Sequence, residues 1–177
     1  MLDQQTADVV SVVDEFENAG AAPGGDDFAR IANVISKMFG VDPDEVAILH
    51  LSVKHKNLKF IIPEKLAAVG SIPLTSATAL AARTARERRA EIMNNFSSAR
   101  HASVFEGVPL GRDPGDLIQK IMSAPIMDGH DVSGVVQISR KGRSPSDSGP
   151  DFTQKDLRAL VSLSPSMSRF LKLCVRV

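Results

Sequence analysis

The sequence predicts an α+β fold in which one antiparallel sheet packs against segregated helices. Helical patterns stand at both ends of the 177-residue chain, and apolar runs with strand character lie between them. One of these runs, "IMSAPIMDGHDVSGVVQISRK" (121–141), has Asp128-Gly129 between two apolar segments. Asp-Gly in that setting is the strongest short-range indication of a β-hairpin, because the turn requires positive φ at its centre. The length suits one domain with a substantial core.

The first predicted helix covers residues 3–19. A heptad-like series runs along it, formed by Leu2, Thr6, Val9, Val13 and Phe16. Such a short series does not make a stable coiled coil by itself. Two interpretations therefore stay open: the helix packs on its own domain, or it forms half of a dimer seam. "GAAPGG" (20–25) is a flexible break, so we divide the chain into residues 1–20 and residues 26–174.

A second helix follows, with Asp26 or Asp27 as its N-cap and Gly40 as its stop. Its apolar positions recur at helical spacing, and they are Phe28, Ile31, Ala32, Ile35, Met38 and Phe39. The run "EVAILHLSV" (45–53) is apolar on both faces of the pleat, which predicts a central strand covered on both sides. "LKFIIP" (58–63) is the returning strand, and its proline ends it.

The middle of the chain is predicted to be mostly irregular or helical. We expect a helix over residues 76–88, with Thr75 or Ser76 as its N-cap, and a short strand at Glu91–Met93. A further short helix is expected over residues 99–105.

The last part of the chain contains the hairpin and a closing helix. The hairpin strands are predicted over residues 117–126 and 131–140. The closing helix begins at Thr153, where Asp156 completes a capping-box pattern. Helical spacing predicts its inner side as Leu157, Leu160, Val161, Met167, Phe170, Leu171 and Cys174. Pro165 lies within this helix and is expected to kink it, at a cost of about 3 kcal/mol unless packing compensates.

Composition excludes several classes of function. Lys plus Arg and Asp plus Glu both total 21, so the basic surplus typical of nucleic-acid or anionic-membrane binding is missing. No apolar stretch approaches the roughly 20 residues of a membrane helix, and the N-terminus lacks the features of a secretory signal. We therefore expect a cytoplasmic protein, and one that stands alone because Met1 opens the first helix. The single cysteine, Cys174, excludes an intramolecular disulfide and a multi-cysteine metal site.

No catalytic set and no metal site are predicted. The histidines lack the i, i+4 or H-x-H spacing of metal ligands, and they are His50, His55, His101 and His130. No serine stands in a G-x-S-x-G context, and no glycine-rich phosphate loop follows a strand.

Three stretches of the sequence resemble the GAF domain, a small-molecule-sensing relative of the PAS domain. "GSIPLTSATALAARTARERRAEIMNN" (70–95) is similar to the family's loop, helix and short strand over the pocket. "SAPIMDGHDVSGVVQISRK" (123–141) resembles its penultimate hairpin. "DFTQKDLRALVSL" (151–163) resembles its closing "F-x-x-x-D-x-x-x-L" helix. The match covers about residues 26–174.

The resemblance implies a central antiparallel sheet of five or six strands. The N- and C-terminal helices would lie on one face of it, and residues 70–110 would form a helical or loop roof over a pocket on the other face. It also implies a non-catalytic sensor or regulatory domain in signal transduction, and for this chain we expect no cofactor. A bound effector would change the packing of the terminal helices, through which we expect a homodimer.

The same resemblance supplies candidate ligand-binding residues. The apolar wall of the pocket would consist of Leu74, Leu80, Ile92, Met93, Phe96, Phe105 and Ile121. Polar contacts would come from Arg83, Asn94, Ser97 and His101. Of the arginines near the end of that helix, Arg83 lies deepest, and its guanidinium suits a carboxylate or a phosphate. The apolar residues suit a core without a ligand equally well, so a ligand-free homodimerisation module is the alternative function.

The family's specific chemistries need residues that this chain largely lacks. The cyclic-nucleotide signature N-K…F-x-x-x-D-E corresponds to "RK…FTQKDL" here, without its asparagine and its glutamate. Cys174 is predicted to be a buried core thiol and not a bilin attachment site. The related free-methionine-sulfoxide reductases need several cysteines in the middle segment, where this chain has none.

Overall fold

The computed structural model describes residues 2–96 and 116–175 and confirms the α+β class. Its helices are α1 (Leu2–Ala19), α2 (Gly25–Phe39), α3 (Glu64–Ala67), α4 (Leu80–Glu87), α5 (Gln154–Val161) and α6 (Ser164–Cys174). Its strands are β1 (Val46–Ser52), β2 (Asn57–Ile62), β3 (Ser71–Pro73), β4 (Glu91–Met93), β5 (Leu117–Asp128) and β6 (Asp131–Gly142). A single 3-10 turn, Pro43–Glu45, precedes β1.

Within the described residues the strands form one six-stranded sheet in the order β3-β2-β1-β6-β5-β4, and every neighbouring pair is antiparallel. The predicted hairpin is confirmed as β5 and β6, and each strand is two residues longer than the sequence indicated. Its turn consists of Gly129 and His130, one position later than predicted, with Gly129 at a φ of 64°. The hairpin therefore supplies the long central ladder on which the other elements pack.

One face of the sheet carries α1, α2, α5 and α6, which share the largest apolar cluster with it. Phe170 of α6 is fully buried, and its ring lies 6.2 Å from that of Phe16 in α1 and 6.1 Å from that of Phe28 in α2. Arg169 of α6 binds the carboxylate of Asp14 in α1. The N- and C-terminal helices thus lie together on one face, as the GAF resemblance implies.

Three of the heptad-like residues of α1 point into the chain's own core. Val9 and Val13 have no exposed surface, and Phe16 is 5% exposed. They belong to the same apolar cluster as α2 and α6. Packing on its own domain is therefore the arrangement seen for α1. Homodimerisation through the terminal helices stays a prediction, and it has to use other residues of these helices.

The sheet and α6 approach each other closely at Gly134 of β6. A Cβ atom at this position would lie 2.2 Å from the carbonyl oxygen of Leu49 and 2.7 Å from Cδ1 of Leu171. Any side chain would therefore push β1 or α6 away. This contact gives a physical reason for the glycine in the "GVV" stretch of the hairpin.

The opposite face of the sheet carries α3 and α4. A second apolar cluster joins Leu49 and Leu58 of the sheet to Leu66 of α3 and Ala82 of α4. The short strand β4 was correctly predicted, and it pairs with β5 at the sheet's edge. Strand β3 and helix α3 were not predicted, because each is at most four residues long and carries no periodic pattern.

The predicted caps of two helices are wrong. Helix α4 has Ala79 as its N-cap instead of Thr75 or Ser76, because the preceding turn is closed by Ser76, whose Oγ accepts the Ala79 N–H at 3.1 Å. Helix α2 has Gly24 as its N-cap instead of Asp26 or Asp27. Asp27 instead accepts the N–H of that glycine at 3.0 Å. The predicted stop at Gly40 is confirmed, with a φ of 63°.

The segment predicted as one closing helix with a kink consists of two separate helices, α5 and α6. The capping box at the start of α5 is confirmed, because Thr153 Oγ1 accepts the N–H of Asp156 at 3.2 Å and the Asp156 carboxylate accepts the N–H of Thr153 at 2.8 Å. Pro165 lies in the first turn of α6, where a missing N–H breaks no helical hydrogen bond. The predicted kink is therefore wrong. Val161, predicted on the inner side, is 46% exposed because α5 ends there.

Candidate functional site

A cavity of about 80 Å³ lies on the sheet face that carries α3 and α4. Strands β1, β2, β5 and β6 supply most of its wall, and Pro63 and Leu66 close one side. The remaining lining residues are Asp44, Glu45, Ala47, Phe60, Ile118, Ile121, Gln137, Ser139 and Lys141. We take this cavity as the candidate site, because it combines a mostly apolar wall with a few converging polar groups.

The polar groups of the cavity come mainly from one strand. Gln137, Ser139 and Lys141 alternate along β6, so all three point to the same face of the sheet. Val135, which precedes them on that face, belongs to the apolar cluster under α4. One face of β6 thus changes from apolar to polar along its length, and the change occurs at the cavity.

Glu45 fixes the end of the cavity nearest to Lys141. Its carboxylate accepts the N–H of Asp42 at 2.9 Å and the N–H of Lys141 at 2.5 Å, although the residue is only 7% exposed. The ammonium group of Lys141 donates to the carbonyl oxygen of Asp44 at 3.2 Å. Ser139 Oγ lies 3.4 Å from the carbonyl oxygen of Glu45. The 3-10 turn is therefore bound to the end of β6 by both side chain and backbone.

A buried series of hydrogen bonds connects the cavity to α4. Gln137 Nε2 lies 3.1 Å from Ser123 Oγ, which lies 2.7 Å from Thr84 Oγ1. Thr84 Oγ1 donates in turn to the carbonyl oxygen of Leu80 at 2.9 Å. Thr84 and Ser123 are both buried. This series, which we call the Gln137 relay, joins β6, β5 and α4.

The structure brings some of the predicted pocket residues together. Leu80, Phe96 and Ile121 form a small buried cluster, with Met93 and Ile118 against it. Ile121 is the only predicted residue of the described chain that lines the cavity itself.

Two further predicted apolar residues lie elsewhere. Ile92 packs against the cluster on the opposite face, with the terminal helices. Leu74 packs with the apolar cluster under α4. Ser97, His101 and Phe105 lie outside the described residues.

Arg83 and Asn94, the predicted polar contacts that the structure describes, have partners within the chain. Arg83 forms an ion pair with Glu91, at 2.8 Å between Nε and Oε1, and thereby joins α4 to β4. Asn94 exchanges two hydrogen bonds with the backbone of Phe152, at 2.9 and 3.1 Å. Both side chains hold segments together in this arrangement, and their binding of a ligand stays a prediction.

Two other arginines near the end of α4 bind backbone carbonyls, whereas Arg89 pairs with the carboxylate of Glu87. Arg86 donates to the carbonyls of Leu74 and Ser76 at 2.6 and 2.8 Å. Arg88 donates to the carbonyl of His130 in the hairpin turn at 2.9 Å. These cations therefore attach the end of α4 to neighbouring loops and do not form one anion-binding face.

The residues compared with the cyclic-nucleotide signature also have structural roles. The guanidinium of Arg140 stacks over the ring of Phe152 at 4.7 Å and donates to the carbonyls of Phe39 and Gly40. Asp156 caps α5 through the capping box described above. Arg140 and Phe152 lie on the helical side of the sheet, away from the cavity.

The single cysteine lies on the opposite face of the sheet from the cavity. Cys174 ends α6 and packs against the cluster of the helical face, whereas the cavity is on the opposite face. Burial raises the pKa of its thiol to about 12. The reactive thiolate is therefore scarce at neutral pH. Burial also lowers the pKa of the half-buried His50 in β1, which favours its neutral form.

An acidic cluster and an open groove are weaker candidates than the cavity. Carboxylate oxygens of Asp42, Asp44 and Glu45 come within 4.8 Å of one another, a spacing that a divalent cation tolerates. Glu45, however, already accepts two backbone N–H groups. The groove, of about 280 Å³, lies between α2 and α3, with Phe28 and Lys65 in its lining. None of the predicted pocket residues that the structure describes lines that groove.

Sequence reasoning missed the polar residues of the cavity. Gln137 and Ser139 fall within the predicted strand 131–140, and Glu45 begins the predicted strand 45–53. The signal that was present is the alternation along β6, where "VQISRK" places polar side chains on one face while the other face stays apolar or basic. Across the described ranges, the helices are all too short or too polar to span a bilayer.

Comparison with known proteins identifies the fold. No family model and no curated protein matches the chain. The GAF domain of an Acinetobacter phosphoenolpyruvate-protein phosphotransferase is similar to it, with a TM-score of 0.65 and 15% identity over 94% of this chain and 92% of that one. The A. aeolicus nlh2 GAF domain in an inactive state has a TM-score of 0.57 and 15% identity, over 98% and 99% of the two chains.

An enzyme has a similar structure as well. Free methionine-R-sulfoxide reductase from Neisseria meningitidis, in complex with its substrate, has a TM-score of 0.65 and 13% identity, over 98% of this chain and 90% of that one. The chain therefore has a GAF-like fold, as the sequence resemblance implied. Solved structures with this fold include both GAF domains and a reductase.

Proposed function

We propose that this chain is a non-catalytic, small-molecule-sensing regulatory domain of signal transduction that acts in the cytoplasm. The observation that carries the proposal is the cavity on the face of α3 and α4, with its apolar wall and the polar side chains of β6. The Neisseria reductase was solved with its substrate bound, so a protein of this fold holds a small molecule.

The arrangement of β6 supports a route from the cavity to the terminal helices. Gln137 and Ser139 line the cavity, and Gly134 of the same strand lies against Leu171 of α6. A ligand that favours one position of β6 would shift the population of α6 positions, since tight packing transmits small displacements. The output surface is then the terminal helices, where we also place a homodimer contact.

The proposal that the domain lacks catalysis rests on its thiol chemistry. The reductases with this fold are the enzymes that it resembles, and we expect their reaction to need a reactive cysteine and a resolving partner. Here the single cysteine is Cys174, on the opposite face from the cavity and with a raised pKa.

Ligand-dependent stabilisation tests the sensing function. A panel of small metabolites should include at least one compound that raises the melting temperature increasingly with its concentration, because only a ligand of the native state does so. Ala47→Leu should abolish the rise by filling the cavity, whereas Ala7→Leu on the exposed face of α1 should leave it unchanged.

A ligand-free homodimerisation module is the second candidate. It is favoured by the volume of about 80 Å³ found for the cavity, which is small beside the roughly 300–1,000 Å³ of typical ligand pockets. In that case no compound of the panel shifts the melt, and light scattering gives a dimer for both the wild type and Ala47→Leu. A monomer without any ligand effect would contradict both candidates.

A further inference from the structure

The hydrogen atoms of the Gln137 relay can be assigned from its ends. The carbonyl oxygen of Leu80 is an acceptor only, so the hydroxyl of Thr84 must donate to it across their 2.9 Å contact. A threonine hydroxyl has a single hydrogen, which this bond uses. At the 2.7 Å contact between Thr84 and Ser123, Ser123 is therefore the donor.

The same reasoning fixes the orientation of the Gln137 amide. Ser123 has used its hydrogen on Thr84, so it accepts at its 3.1 Å contact with Gln137. The group of Gln137 that faces Ser123 is then the NH₂ and not the carbonyl oxygen. Thr84 is 1% exposed and Ser123 0%, so this polarity is set inside the fold and not by solvent. The Oε1 atom of Gln137 lies at the other end of the amide and remains available as an acceptor at the cavity.

The charges around the cavity favour the same kind of ligand. Among the described residues, its ionisable lining consists of the carboxylates of Asp44 and Glu45 and the ammonium of Lys141, which lies 3.8 Å from the Asp44 carboxylate. Negative groups outnumber positive ones in this described lining, which disfavours an anionic ligand. A group with an N–H or O–H and no negative charge is attracted to both the carboxylates and an amide oxygen.

The volume limits the size of the ligand. The cavity volume of about 80 Å³ is several times the roughly 10–15 Å³ that one water molecule requires. It thus suits a body of about five to eight non-hydrogen atoms, and Phe60 and Ile121 offer apolar contact to it.

We infer that Gln137 is the specificity-determining residue of the cavity, and that it selects a small, uncharged or cationic ligand whose N–H or O–H donates to Gln137 Oε1. This inference rests on the proposed sensing function and names the class of its ligand. The donor–acceptor direction of the relay originates in α4, because the hydrogen bond donated by Thr84 fixes the direction of the other hydrogen bonds in the relay.

The test uses pyrrole and furan, which have the same ring size and shape but carry an N–H donor and an oxygen acceptor, respectively. Dissociation constants for the whole chain are measured by ligand-observed NMR titration. The wild type should bind pyrrole about three- to tenfold more tightly than furan, the ratio expected for one hydrogen bond. Gln137→Met keeps the side chain's length without an acceptor oxygen, and should reduce the ratio to about one.

A second variant tests the relay itself. Thr84→Val keeps the shape of the side chain but frees Ser123 to donate to Gln137, whose amide then turns its NH₂ towards the cavity. The ratio should fall to one or below, although Thr84 does not touch the cavity. Thr75→Val on an exposed loop is the matched control and should keep the ratio of the wild type.

The outcomes separate this inference from the proposed function. Equal affinities for the two rings in the wild type, both abolished by Ala47→Leu, would overturn the donor selectivity and leave the cavity as a binding site. Absence of binding by either ring would also overturn the inference, while the metabolite panel decides on sensing independently. If one variant does not melt cooperatively, the wild-type ratio and the other variant still decide.

Discussion

In the 3-10 turn that precedes β1, the carboxylate of Glu45 joins two segments that are distant in the chain. One oxygen accepts the N–H of Asp42 and the other accepts the N–H of Lys141. Hydrogen bonds to a charged, buried acceptor are worth more than neutral ones, and a buried N–H left without a partner carries the full desolvation cost. This residue was not recognisable from the sequence, because a glutamate before a strand is usually exposed.

Replacing Glu45 by alanine should lower the free energy of unfolding by about 3 kcal/mol, since two part-buried N–H groups lose a charged acceptor. Urea denaturation of the two proteins measures the difference. Glu64→Ala is the matched control, because Glu64 is an exposed glutamate in the first turn of α3 and should change stability by less than about 0.5 kcal/mol. Equal losses in both variants would show that the two Glu45 contacts are not responsible.

The thiol of Cys174 makes stability depend on pH on the alkaline side. Burial raises its pKa from the ordinary value of 9.0 to about 12, so the native state holds this proton more tightly than the unfolded state. The contribution of the protonated thiol to the free energy of unfolding is complete below about pH 9, and it is lost as the pH rises from about 9 towards 12. Cys174→Ala lacks this titration, so the stability of the wild type relative to the variant should decline over that range. Parallel pH profiles would contradict the assignment.

At the scale of elements, the sequence predicted which segments are helices and strands better than where they begin. Both Thr75 and Thr153 precede a helical pattern, and both are good N-cap residues by type. Only Thr153 also has the Asp156 partner three residues later, and only it caps a helix. The α5–α6 break was missed for a similar reason, since Pro165 is equally compatible with a kink and with the first turn of a new helix.

Thr153→Ala should cost about 1 kcal/mol, because the N–H of Asp156 loses its acceptor at the start of α5. Thr75→Ala should have no measurable effect, since α4 begins at Leu80. Thermal and urea unfolding of the two variants measure this directly. If Thr75→Ala proved the more damaging change, α4 would have to begin several residues before Leu80.

At the scale of the whole molecule, the sequence predicted one antiparallel sheet, and the resemblance placed the terminal helices together on one face. The predicted pocket residues and the candidate cavity coincide only in part. Ile121 lines the cavity, whereas Ile92, only one position before Met93 in β4, packs on the opposite face. The prediction assigned consecutive residues of a segment to the pocket. In a sheet, however, consecutive residues point to opposite faces, so only every second one can face the cavity. The face to which each β4 residue points is set by the pairing register of β4 with β5. The sequence does not specify this register for so short a strand.

The position of α1 is the other feature that only the packing of the whole molecule decides. Its apolar series is compatible with a dimer seam or with the chain's own core, because a buried stripe has the same pattern in both. In the structure the stripe contacts α2 and α6 of the same chain, and Phe16 lies 6.2 Å from Phe170. In this arrangement α1 therefore packs on α2 and α6 of the same chain, whatever contact a homodimer makes, and the division at residue 20 stays a prediction.

Phe16→Ala distinguishes the two roles of α1. If Phe16 fills the chain's own core, its loss should lower the free energy of unfolding by about 3–5 kcal/mol, and the decrease should not depend on protein concentration. If Phe16 instead formed a dimer seam, the stability of the wild type would rise with concentration, and the variant would become monomeric with little loss at high dilution. Asn18→Ala on the exposed side of α1 is the control. Urea unfolding at several concentrations, together with light scattering, provides both readouts.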